Sequence, residues 1–140
     1  MTDLPDVNVW LAMVDENHAH HDGAVAYWRN QSSPKIAFCR VTALAFLRLS
    51  THPKVLSRPL DNLEAWDIYQ RYRNEEGVGF INDAPEVDAE FMKLSRDHDT
   101  PHSLWTDCYL AALALSRDCR VVSFDTDFNR FPGLAFLYLE

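Results

Sequence analysis

The chain has 140 residues, 47% hydrophobic and 24% charged, with a formal net charge of -8. That length suits one domain with a proper core, and no apolar run is long enough for a membrane span. Cys39, Cys108 and Cys119 make neither a disulfide framework nor a CxxC zinc pattern, so their expected role is that of small buried hydrophobes. With no basic-then-apolar leader, the chain reads as a soluble cytoplasmic protein.

In chain order, Leu4-Pro5-Asp6 reads as a short strand that delivers Asp6, and Val7 to Val14 as the helix that follows at once. Asp15-Glu16-Asn17 ends that helix. A second helix is expected from near His18 through Trp28, with Asn17 as its cap and Ser32-Ser33-Pro34 as its break. Lys35 to Cys39 is a short apolar run fit for a buried parallel strand. Thr42 opens a helix through Leu49 that Thr51-His52-Pro53 closes, and Asp61 caps another through Tyr72. Gly77 to Ile81 reads as a strand, Pro85 as the start of a helix carrying Val87 to Leu94, and His98 to His102 as a polar loop. The helix containing Asp107 is apolar on nearly every side through Leu115 and should lie deep. Arg120 to Phe124 forms a further strand, and Leu134 to Leu139 a last one after the Phe131-Pro132-Gly133 turn. Alternating strands and helices predict an α/β domain, residues 1–140, with a parallel twisted sheet of four to five strands covered on both faces.

Three segments place an acid at a strand end or a helix start: Asp6, Asp107 and Asp125, the last followed by Asp127. In an open α/β sheet such places face one crevice. Two carboxylates about 4 Å apart repel by roughly 4 kcal/mol at an effective dielectric of 20. A cluster therefore needs a cation, or a proton on one acid. Mg2+ or Mn2+ suits oxygen ligands, and a water on such an ion can attack phosphorus. Each acid alone has a plainer role: Asp6 and Asp107 as helix caps, Asp125 and Asp127 as turn residues. Three at matching positions favour the metal.

Leu4 to Leu11, Thr106 to Ala114 and Ser123-Phe124-Asp125-Thr126-Asp127-Phe128 together resemble PIN-domain nucleases, in particular the VapC-type ribonuclease toxins of bacterial toxin–antitoxin pairs. The resemblance spans nearly the whole chain, including Asn17-His18-Ala19-His20-His21, Phe46-Leu47-Arg48-Leu49 and Phe128 to Leu134. It implies Mg2+- or Mn2+-dependent endoribonuclease cleavage of RNA. Asp6, Asp107 and Asp125 match the family's metal ligands, and Asn8 the polar residue that braces the first acid. It also implies a homodimer and a VapB-like, DNA-binding antitoxin that blocks the site. One departure stands out: many members carry a Glu after the Thr of the helix following the second strand, and here Ala43 follows Thr42. Asp127 or the Thr42 hydroxyl could support the three acids instead. The alternative is a PIN-fold binding module with weakened or lost catalysis.

No Asp or Glu occurs from Gly23 to Leu60, a stretch holding Arg29, Lys35, Arg40, Arg48, Lys54 and Arg58. A basic zone beside an acidic pocket suits a polyanion held near a metal. Arg48 is the expected phosphate contact, with Arg40 and Lys54 as further RNA-binding residues. A salt bridge to a pocket acid is the plainer role for Arg48. His18, His20 and His21 lack a fourth zinc ligand and read as a polar helix start. Trp10, Trp28 and Trp66 read as core, and Trp105, though placed to stack on a base, is expected to be buried. A phosphorelay receiver is disfavoured because the last lysine, Lys93, precedes the fourth strand.

Overall fold

The computed structural model describes residues 1–30, 35–97 and 99–140. The Ser32-Ser33-Pro34 break and His98 lie outside the described residues. The elements are β1 (Thr2–Pro5), α1 (Val7–Val14), α2 (His21–Asn30), β2 (Ile36–Cys39), α3 (Arg40–Ser50), α4 (Asn62–Asn74), β3 (Val78–Ile81), α5 (Val87–Asp97), α6 (Trp105–Arg117), β4 (Cys119–Ser123) and β5 (Phe136–Tyr138), with 3-10 turns at His102–Leu104 and Thr126–Arg130.

The strands form one sheet in the order β3-β2-β1-β4-β5, every neighbouring pair parallel. The chain leaves β1 toward β2 and β3, then crosses to β4 and β5. The order therefore reverses between β1 and β4, where doubly wound sheets open their ligand crevice. Pro5 pairs with Val122, and the Asp6 amide donates to the Val122 carbonyl at 2.8 Å, so Asp6 and Ser123 leave the sheet at one level.

Side chains alternate between two apolar clusters. Ile36, Phe38 and Val122 face α1 to α4, where Trp10 stacks on Phe38 at 3.9 Å; Leu4, Cys39 and Val121 face α5 and α6. Helix α6 buries Cys108 and Leu110 to Ala114, as its apolar run requires.

Several local expectations need correction. Helix α2 starts at His21 rather than near His18, because Asp15 and not Asn17 organises the preceding turns. The Asp15 carboxylate accepts from the Asn17 amide, the Ser57 amide and the Ser57 hydroxyl. Helix α3 starts at Arg40, and Thr42 lies inside it with its hydroxyl accepting from the Cys39 amide at 2.9 Å. Trp66 and Trp105 are 49% and 48% exposed, not core, whereas Trp10 is buried and Trp28 packs against the same cluster. The sequence reading also passed over Asp3. It is fully buried, accepting from Nε and Nη2 of Arg120 at 2.9 Å each and from the Tyr27 hydroxyl at 2.6 Å.

Candidate active site

Asp6 immediately follows β1 and caps α1. Its Oδ1 accepts from the Val7 amide at 2.8 Å, and its Oδ2 accepts from the Ser123 hydroxyl at 3.0 Å. Ser123, buried at the end of β4, joins three parts of the site. Its hydroxyl oxygen also accepts from Asn8 Nδ2 and from the Asp125 amide, each at 3.0 Å. Asn8 thus braces Asp6 through Ser123 rather than directly. Asp125 in turn accepts from the Asp127 amide at 2.9 Å, so Ser123-Phe124-Asp125-Thr126-Asp127 makes two successive side-chain-to-backbone turns. Those turns aim Asp125 and Asp127 at the first turn of α6, where Asp107 stands.

One carboxylate oxygen each from Asp107, Asp125 and Asp127 lies within 4.8 Å of the other two. Among the described residues these three make the one group of His, Cys, Asp or Glu close enough to hold an ion together. The tightest trio therefore contains Asp127 where the sequence reading had Asp6. Asp6 still belongs to the same crevice, since its charge raises Asp107 and the charge of Asp125 raises Asp6.

The electrostatics follow from this crowding. Burial, followed by the charges of Asp6, Asp125 and Asp127, pushes the Asp107 carboxyl up to about 7. Burial also raises Asp6, against the hydrogen bonds from Ser123 and Val7 that hold it down. Asp127 is raised by burial and by Asp125, with the Arg130 charge working in the opposite sense. Near neutrality the cluster thus holds a proton on Asp107 or takes up a cation in its place. The donor set fits a small hard cation. Oxygens from three carboxylates within 4.8 Å of one another are the ligand chemistry that Mg2+ or Mn2+ takes.

The remaining candidates are placed as follows. Ala43 is fully buried in the apolar cluster beneath α3, and the Thr42 hydroxyl stays on the Cys39 backbone, so neither joins the acids. Arg40 is exposed at the first turn of α3, its guanidinium 4.9 Å from the centre of the Phe80 ring. Arg48 is exposed in the last turn, about 12 Å along the helix from Arg40, and Lys54 lies in the loop beyond. Among the described residues no ion pair joins Arg48 to a site acid. The histidines have structural partners: His21 Nδ1 lies 2.7 Å from the Ala12 carbonyl, His18 accepts from the His20 amide, and His20 stacks on Phe124 at 4.4 Å. Ser123 was missed; the signal available was its place two residues before Asp125 at a strand end.

A family model for the PIN domain matches residues 4–134. The chain belongs to the PIN domain family. Its relatives include ribonuclease VapC41 of Mycobacterium tuberculosis, 32% identical over 137 residues and 94% of each chain. Ribonuclease VapC44 of the same organism is 34% identical over 126 residues, 89% of this chain and 87% of that one. In fold, the PIN domain here resembles VapBC2 from Rickettsia felis bound to a promoter DNA fragment, with a TM-score of 0.72, 12% identity and full coverage of both chains. It also resembles Mycobacterium tuberculosis VapC20, a Sarcin-Ricin loop cleaving toxin, with a TM-score of 0.70 and 16% identity over 91% of this chain and 92% of that one. No helix among the described residues is long and apolar enough to cross a membrane.

Proposed function

We infer that this PIN domain is an endoribonuclease, the toxin of a toxin–antitoxin pair, which uses Mg2+ or Mn2+ to hydrolyse RNA phosphodiesters. The observation that carries the reading is the Asp107, Asp125 and Asp127 cluster, drawn together within 4.8 Å at the sheet's switch point. Relatives named as ribonucleases, at 32% and 34% identity over most of the chain, support it.

Asp107, Asp125 and Asp127 would hold the ion, with Asp6 completing the acidic wall. When bound, the ion supplies a water acidic enough to attack phosphorus and a charge that offsets the developing negative oxygens. Asp107 would hold the ion as a carboxylate, without the proton that burial and the neighbouring acids favour in its absence. Ser123 and the Val7 amide keep Asp6 in one orientation, and Ser123 fixes the Asp125 backbone, so the pocket keeps its shape as its charge changes. Arg40, beside the crevice, would hold the RNA backbone; Arg48 and Lys54 would extend that contact only along a longer RNA. Ala43 does not favour the inactive binding module, because Asp127 supplies a third carboxylate.

The solved relatives that include VapBC complexes support a VapB-like, DNA-binding antitoxin as partner. A homodimer acting in the cytoplasm completes the proposal. Expression of the chain in a bacterial host should arrest growth, with fragments of one RNA class accumulating in 5′-end sequencing. Asp6→Ala or Asp125→Asn should abolish both effects. Equal toxicity of these variants would end the mechanism.

A further inference from the structure

Beyond the ends of β2 and β3 lies a cleft of about 630 Å³ walled by Arg40, Phe80, Asn82, Asp83 and Tyr109. None of these residues belongs to the acid cluster, yet the cleft adjoins it. Asp3 pairs with Ile36, so Cys39, which Arg40 follows, leaves the sheet level with Asp6 and one strand spacing of about 4.8 Å away. Tyr109 stands two residues beyond Asp107 on α6. The backbone that carries Arg40 therefore lies beside the backbone that carries Asp6.

Its chemistry is mixed in an informative way. Phe80 has two guanidinium groups against it, Arg40 and Arg73, each 4.9 Å from the ring centre. Across the cleft, Asp83 accepts a hydrogen bond from the Tyr109 hydroxyl, and Arg117 donates to the carbonyls of Asn82 and Asp83 at 3.2 and 3.4 Å, fixing that loop. A site for phosphate alone would not carry a carboxylate, and a site for an apolar ligand would not carry an exposed guanidinium. An unpaired RNA base with its phosphate matches the set: aromatic side chains lining the cleft, the Arg40 guanidinium for the anion, and the Asp83 carboxylate to accept from the base's N–H donors.

We propose that this cleft holds one unpaired base beside the scissile phosphodiester, with Arg40 on the backbone and Asp83 selecting guanine. This rests on the ribonuclease reading and adds where sequence preference comes from. Guanine presents two adjacent N–H donors to a carboxylate. Adenine and cytosine present one amino group beside an acceptor, and uracil one N–H between two carbonyls that Asp83 repels.

Cleavage of a position-randomised single-stranded RNA library, with the products sequenced, tests it. The wild-type chain should prefer guanosine about ten-fold or more at one fixed position from the cut. Asp83→Asn should reduce that preference to about two-fold or less, Asp83→Glu should retain part of it, and Arg40→Gln should slow cutting of all sequences alike. Retention of the preference by Asp83→Asn, or no preference in the wild type, overturns this inference and leaves the ribonuclease reading intact. A library left uncut overturns both.

Discussion

Asp107 shows how one side chain connects packing to chemistry. Burial alone would favour its neutral form, and three neighbouring carboxylates push the same way, to about 7. The carboxyl is thus poised to exchange its proton for a metal at neutral pH. The Ser123 hydroxyl holds Asp6 and the Asp125 amide together. Ser123→Ala should therefore reduce metal affinity or cleavage about 10- to 100-fold, measured by RNA turnover against metal concentration, while the fold survives. The contrasting residue is Arg120, whose guanidinium neutralises fully buried Asp3. Arg120→Ala removes that countercharge, leaving the Tyr27 hydroxyl on a buried carboxylate, and should cost about 3–5 kcal/mol in urea unfolding. These roles were unequally legible. Asp6, Asp107, Asp125 and Asp127 stand beside strand ends and helix starts that the chain pattern reveals, whereas the Asp3–Arg120 pair joins residues far apart in sequence, and no local signal announces it.

At the level of elements, the apolar patterning predicted every α-helix and strand but neither 3-10 turn, because most of the former have apolar runs bounded by Pro, Gly or a capping residue. One boundary failed because a side chain made a long-range contact. Asp15 reaches Ser57, and that link, invisible in a local pattern, delays α2 to His21. At α4 the signal was wholly local and sufficient. Asp61 accepts from the Glu64 amide while Glu64 accepts from the Asp61 amide, so the cap of α4 could be read directly. Asp61→Ala should lower stability by about 1 kcal/mol in the same unfolding assay, without altering RNA cleavage. The exposure of Trp66 and Trp105 was not legible, since a helical stripe does not say how far a partner element covers it.

For the whole molecule, the order β3-β2-β1-β4-β5 brings the two halves of the chain to one crevice and concentrates negative charge there. The acids thereby couple function to stability. Asp107 is protonated in both folded and unfolded chains below its ordinary 3.8, and costs nothing there. As pH rises toward about 7 the unfolded chain ionises first, so the metal-free fold loses stability across that window. Thermal melting should show this loss reduced in Asp107→Asn. Mg2+ at a hundred times its pH 8 dissociation constant should stabilise the wild type by about 2.7 kcal/mol at pH 8, and the same concentration should stabilise it less at pH 5. The most direct test of a shared ion is calorimetric titration of Mn2+ into the purified chain at pH 6 in buffers of different ionisation enthalpy. The account predicts one ion per chain, release of most of a proton from Asp107, and loss of binding in Asp125→Asn. Stoichiometric binding that survives in Asp125→Asn, or no binding in the wild type, would contradict it.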